Sequence, residues 1–206
     1  MELDYSPEKI VFNRELSDLD ELVLKFVDIL HRLDISYVII SGYIAILFGR
    51  SRGTEDVDLF VEKIGMDKMS EWWFELEKAG FECLNTDNPT DALNEYLENN
   101  TAIRFAVKGT WEPNFEVKFP TSKSSHYSME NKLVVFLNNR KIVTSQIEMQ
   151  IAYKLLLRGD KDLEDALHLY GLFKDKLDHS LLRLHIQELG VPPERVNVLW
   201  EIHPSD

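Results

Sequence analysis

Apolar residues recur at three- and four-residue spacing through residues 16–33, LSDLDELVLKFVDILHRL, where Leu19, Leu22, Leu24, Phe26, Val27, Leu30 and Leu33 predict an amphipathic helix. Ser17 stands where an N-cap belongs, with Asp20 three residues on. The β-branched run ISYVII predicts a buried strand, after which Ser41-Gly42 opens a short helix, YIAILFG, that ends at Gly49. In EDVDLFV the period falls to two, the signature of a strand with unlike faces. MDKMSEWWFELEKAG returns to helical spacing through Met66, Met69, Trp73, Leu76 and Ala79, and closes at Gly80. The tandem Trp72-Trp73 is read as core rather than as a platform for stacking bases. Residues 85–100 are polar and acidic, a loop with a short helix. TAIRFAVK and NFEVKF read as strands joined around GTWEP, and KLVVFLNN with RKIVTS as a hairpin. From residue 145 onward the pattern is helical. The chain therefore predicts an α/β (α+β) fold: a mixed β-sheet core over residues 1–144 with helices packed on one face, then a helical subdomain over 145–206.

Composition narrows this picture. The 206 residues, 44% hydrophobic and 11% aromatic, suffice for one packed domain or a domain with a helical extension. A single cysteine, Cys83, excludes an intramolecular disulfide and a cysteine-rich zinc site, as expected in a reducing compartment. MELDYSPEKI lacks the basic and apolar regions of a secretory signal, and YVIISGYIAILFG is too short to span a bilayer, so a cytoplasmic chain with no membrane partner is expected. The formal net charge of -13 disfavours extended DNA binding, because phosphate neutralisation supplies most of that affinity. A local patch from Lys118, Lys123, Arg140 and Lys141 would still suit a tRNA 3' end, whereas the acidic loop over 85–100 would instead screen a cationic acceptor.

The chemistry concentrates in SGYIAILFGRSRGTEDVDLFV. Asp56 and Asp58, two apart on a strand, project from the face opposite Val57, Leu59 and Val61. Two carboxylates so close raise each other's pKa unless a cation lies between them, and their hard oxygens suit Mg2+ or Mn2+. Ser41-Gly42, between strand and helix, leaves backbone N–H groups free for a phosphate, and Gly42 permits close approach. Arg50 and Arg52 add positive charge between the turn and the acids. In NFEVKF, Glu116 and Lys118 share a face. Should that strand lie beside EDVDLFV, Glu116 becomes a third carboxylate and Lys118 a phosphate contact. Lys154 and Arg158 share a helix face, Lys154 being a candidate contact with the triphosphate. Asp160, Asp162, Glu164 and Asp165 are read as complements to a helix dipole. The histidines, His126 and His168 among them, show no ligand spacing, and no nucleophile constellation is visible around Ser124, Ser125 or Cys83.

VIISGYIAILFGRSRGTEDVDLFV resembles the signature of the DNA polymerase beta-like nucleotidyltransferase superfamily, with Gly42, Arg52, Thr54, Asp56 and Asp58 at the matching positions. QIAYKLLLRGDKDLEDALHLYGLF is similar to the helical region of minimal prokaryotic members, including abortive-infection toxin nucleotidyltransferases of toxin–antitoxin systems, and aligns Lys154, Lys161, Asp162 and Asp165. Together the two stretches cover roughly residues 17–175. Ser41 stands where glycine is usual, and Glu116 where many relatives use aspartate. The resemblance implies transfer of a nucleoside monophosphate from an NTP to an acceptor hydroxyl on a small molecule, a tRNA end or a protein, with release of pyrophosphate. In that scheme Asp56, Asp58 and Glu116 are catalytic and hold two Mg2+ or Mn2+ ions, while Ser41, Gly42, Arg52, Thr54, Lys118 and Lys154 bind the nucleotide. Two rivals stay open: a catalytically degenerate member that binds nucleotide or a partner protein, and a metal-dependent glycosyltransferase, since Asp-x-Asp occurs there too.

Overall fold

A computed structural model describes residues 3–157 and 159–202. Two short strands, β1 (Asp4–Ser6) and β2 (Lys9–Phe12), precede helix α1 (Asp18–Arg32). Then come β3 (Tyr37–Ile40), α2 (Gly42–Leu47), β4 (Asp56–Val61), α3 (Met66–Lys78) and β5 (Phe81–Cys83). An irregular helical stretch opens with α4 (Pro89–Asp91) and continues as a π turn over Ala92–Tyr96 and a 3-10 turn over Leu97–Asn99. Strands β6 (Ile103–Val107) and β7 (Asn114–Lys118) lead to α5 (Lys123–Glu130), the hairpin β8 (Lys132–Leu137) and β9 (Arg140–Ser145), and four helices: α6 (Ile147–Leu156), α7 (Asp160–Phe173), α8 (His179–Leu189) and α9 (Pro193–Ile202).

Among the described residues the strands form one nine-stranded sheet in the order β1-β2-β8-β9-β3-β4-β7-β6-β5. It is mixed: β3 runs antiparallel to β4 and parallel to β9, and β4 runs parallel to β7. Alternation in β4 and β7 splits the sheet into two unlike faces. Val57, Leu59, Phe115 and Val117 turn to the buried side with α1 and α3, where Phe26 stacks on Phe115 with ring centroids 3.9 Å apart and meets Phe81 and Trp72 edge-on. Trp72 and Trp73 are buried, as the helical spacing predicts. One continuous apolar core runs from Ile10 through the sheet and on to Leu199 of α9.

Helix α1 begins as its sequence requires, with Ser17 and Asp20 closing a capping box. Asp20, fully buried, also accepts both guanidinium donors of Arg14, at 2.6 and 2.8 Å, and the Tyr43 hydroxyl at 2.8 Å. Burial pushes its carboxyl upward, but these donors hold it below the ordinary carboxylate range. Because Tyr43 lies on α2, this network anchors the helix that follows the Ser41-Gly42 turn.

Four elements, β1, β2, β5 and α5, have no counterpart in the sequence reading. Strands β1 and β2 extend the sheet through the parallel pairing of β2 with β8. Helix α5, KSSHYSME, is mostly polar, so its periodicity is carried by buried Ser125 and Ser128 instead of aliphatic residues. The four lysines and arginines read as one basic patch are dispersed: Arg140 pairs with Glu21 and Asp28 on α1, and Lys123 with Glu188 on α8.

Candidate active site

The turn from β3 into α2 is the most constrained backbone of the site. Ser41 has φ 65° and ψ −136°, a conformation that glycine adopts freely and serine does not. Gln150 of α6 holds it there. Its side-chain carbonyl accepts from the Ser41 N–H at 3.1 Å, its amide donates to the Ser41 carbonyl at 2.9 Å, and the Ser145 hydroxyl donates to the same Gln150 oxygen at 3.1 Å. Gln150 is 2% exposed. The sequence reading overlooked it, although it lies one helical turn before Lys154 and so shares that residue's face.

Beside the turn, a Cβ on Gly42 would lie 2.7 Å from the Arg52 Nη2 and 3.4 Å from the Thr54 Oγ1. Glycine at 42 thus lets the Arg52 guanidinium lie against the backbone. Thr54 donates to the Asp56 carbonyl at 2.8 Å and shapes the chain as it enters β4.

On β4, Asp56 and Asp58 point away from the core, as alternation predicts. Register places Ile40 opposite Asp58 on one side and Glu116 opposite Asp58 on the other, with Asn114 opposite Asp56. The three acids of the sequence reading therefore share one face of neighbouring strands. Burial, and then the Asp56 charge, push the Asp58 carboxyl up to about 6, against smaller downward pulls from Lys118 and a hydrogen bond with the Ser41 side chain. Glu116 is in a different state. Burial raises it, yet hydrogen bonds and charge from Lys118 and Arg104 hold it below the ordinary carboxylate range. Arg104 faces Glu116 directly from β6. Asp56 and Asp58 suit a hard divalent cation, since their like charges lie close together and burial and the Asp56 charge both disfavour the ionised Asp58 carboxyl. Glu116 is engaged elsewhere, and among the described residues no three histidine, cysteine or acidic side chains already converge as a metal cluster.

The opposite wall is cationic and is organised by one acid. Asp165 of α7 is fully buried and takes Arg50, Arg52 and Lys154 together: Arg52 through Nε and Nη2 at 3.0 and 2.8 Å, Lys154 at 3.0 Å, and Arg50 by a short contact. Lys154, 2% exposed, also pairs with Asp162 at 2.7 Å, and Arg50 also pairs with Glu164. Burial raises the Asp165 carboxyl, but hydrogen bonds from Arg52 and Lys154 outweigh it, so its pKa is lowered. This overturns the dipole reading for Asp162, Glu164 and Asp165, each of which has a specific cationic partner; Asp160, exposed in the first turn of α7, keeps it. His168 donates from Nε2 to the Phe48 carbonyl at 3.1 Å, a structural tie between α7 and the end of α2. Arg158 lies outside the described residues.

Between these walls runs an open cleft of about 1070 Å3. Ser41, Gly42, Arg52, Thr54, Asp56, Asp58 and Lys154 all border it, and Glu116 and Lys118 stand beside it without forming its wall. Sequence alone thus named these seven lining residues, gave Asp165, which holds the cations, a motif position but only a dipole role, and missed Gln150, which holds the turn. No helix among the described residues is long and apolar enough to cross a membrane.

No family model matches this sequence, and no curated protein sequence does either. Solved structures do. An antigenic nucleotidyltransferase-like protein from Paracoccidioides brasiliensis superposes with a TM-score of 0.53 at 18% identity, over 89% of this chain and 92% of that one. The antibiotic-resistance factor ANT(2'')-Ia superposes with a TM-score of 0.56 at 11% identity, over 91% of this chain and 98% of that one. With the mixed sheet, the turn at Ser41-Gly42 and the acids of β4 and β7 in place, this chain has the nucleotidyltransferase fold.

Proposed function

We propose that the chain transfers a nucleoside monophosphate from an NTP to an acceptor hydroxyl and releases pyrophosphate. The observation that carries the reading is the convergence on one cleft of the Ser41-Gly42 turn, the Asp56–Asp58 pair and the Arg52–Lys154 wall, with Glu116 in register opposite Asp58. Arg52 and Lys154 border the cleft while Asp165 holds their side chains in place, so the β and γ phosphates would meet cations whose positions are already fixed. Backbone N–H groups around Gly42 approach the same phosphates without a Cβ in the way. Asp56 and Asp58 would hold Mg2+ or Mn2+, whose contribution is to neutralise charge on the reacting and leaving oxygens. Glu116, ionised at neutral pH, accepts the proton of the attacking hydroxyl once released from Lys118 and Arg104. The acceptor oxygen bonds to the α-phosphorus as the bond to the bridging oxygen breaks, and the electron pair leaves with pyrophosphate.

Incubation with labelled NTPs, Mg2+ and a cell extract tests this. Label should pass to an acceptor, and the double variant Asp56→Asn, Asp58→Asn should abolish pyrophosphate release while staying folded. Release at the parental rate from that variant would sink the mechanism. A second reading has its own support: Glu116 is tied between Lys118 and Arg104, and the cations are tied to Asp165, as expected of a binding module without turnover. Calorimetric NTP binding with no labelled product would favour it, and a preference for sugar nucleotides would favour a glycosyltransferase.

A further inference from the structure

Away from the cleft, His185 of α8 is an anomaly. It is 1% exposed, and neither ring nitrogen has a hydrogen-bond partner among the described residues. Burial lowers its pKa, so the ring is neutral and carries one unused donor and one unused acceptor. A buried imidazole in this state leaves a donor and an acceptor without the partners that water would otherwise supply. It lines a pocket of about 460 Å3 between α5, α6 and α8, with the Tyr127 ring edge-on at 4.7 Å and Met149 and Leu189 as apolar walls. Lys123 and Glu188 bridge α5 to α8 at the rim at 3.1 Å, with Glu130 nearby.

This pocket leads toward the acids. Ser122, Ser124 and Met149 also line a smaller cavity that reaches Ile40 and Phe60. Ile40 is the register partner of Asp58, and Phe60 follows Asp58 on the same face of β4. Serine hydroxyls and apolar surface therefore run from His185 to Ile40 and Phe60, the neighbours of Asp58 in the sheet.

We propose that this trough is the acceptor subsite and that it takes a small, uncharged, hydroxyl-bearing molecule whose far end docks on His185; the proposal rests on the nucleotidyl-transfer reading. A polyol supplies what the neutral ring lacks, one hydroxyl to accept from its N–H and another to donate to its bare nitrogen. The rim, with two carboxylates against one lysine, repels an anion. Met149, Leu189 and Tyr127 accept a ring or carbon skeleton, and the volume suits a molecule of one or two rings rather than a chain end of a macromolecule.

The test needs neither nucleotide nor turnover. The full chain, labelled with 15N at histidine, is titrated with myo-inositol and methyl β-glucoside, with glucose 6-phosphate as the anionic control. The imidazole signals of His185 should shift saturably with the neutral polyols and not with the phosphate. His185→Phe should weaken binding by about tenfold. Leu189→Trp, which fills the pocket from the rim and leaves the imidazole in place, should abolish the shift and serves if the first variant does not fold. No shift at His185, a shift that survives Leu189→Trp, or a response only to an oligonucleotide ending in CCA would overturn the assignment. Polyol binding at His185 in a chain that releases no pyrophosphate would support the pocket's chemistry and overturn the transfer reading instead.

Discussion

Ser41 and Asp58 touch each other and strain in different currencies, one conformational and one electrostatic. Ser41 sits at positive φ where glycine is at ease, so Ser41→Gly should stabilise the fold by up to about 1 kcal/mol, less the hydrogen bond to Asp58; urea denaturation measures it. For Asp58 the sign follows from a carboxyl raised to about 6 from 3.8: the folded chain binds its proton more tightly, so the group's unfavourable contribution is absent in acid and complete above the folded value. Asp58→Asn should therefore stabilise by about 2–3 kcal/mol near pH 8 and by almost nothing near pH 4, which paired denaturation curves at the two pH values would reveal. Asp165 has the opposite sign. Its lowered pKa makes its contribution complete above the unfolded value and lost as pH falls, and Asp165→Asn should cost about 3–5 kcal/mol because buried Lys154 and the half-buried Arg50 and Arg52 lose their shared partner. At this scale the sequence revealed the residues that carry a local pattern: Asp56 and Asp58 by alternation, Gly42 by its place after an apolar strand. The cation-gathering role of Asp165 was hidden because an acid in the first turns of a helix looks the same whether it faces water or three cations brought from other segments.

Among the elements, those with apolar periodicity were legible. Helices α1, α2 and α3, the strands β3, β4, β6 and β7, the β8–β9 hairpin and the four closing helices all fall where hydrophobic spacing puts them. Helix α5 was not, since serines fill its buried side, and β2 was not, since four residues give too little alternation to read. The placement of β7 beside β4 is the consequence that matters, because sequence offered Glu116 only on condition of that pairing. Gln150 is the element-scale test of the site. Gln150→Ala should release the Ser41 turn without touching the acids, raising the Kd for NTP while leaving Asp58's elevated pKa in place; calorimetry and a pH titration separate the two effects.

Over the whole molecule, charge and core set the terms. A net charge of -13 and the dispersal of Lys118, Lys123 and Arg140 onto separate acidic partners leave no broad basic face among the described residues, so duplex DNA should not be retarded in a gel shift even at low salt. Because the apolar core continues without a break into α8 and α9, removing residues from His179 onward should unfold the sheet region as well as the tail, read as loss of a cooperative melting transition by circular dichroism.

On the proposed reading, the three cations gathered on Asp165 would make α7 a counterweight to the nucleotide. Any triphosphate that draws Arg52 or Lys154 toward itself leaves a carboxylate sealed in the interior with less company, so the ligand must compete with the protein's own acid for the same positive charge. On the proposed reading, residence time on the nucleotide would then be tuned from α7, by changing how far Asp162 and Glu164 share in holding those side chains.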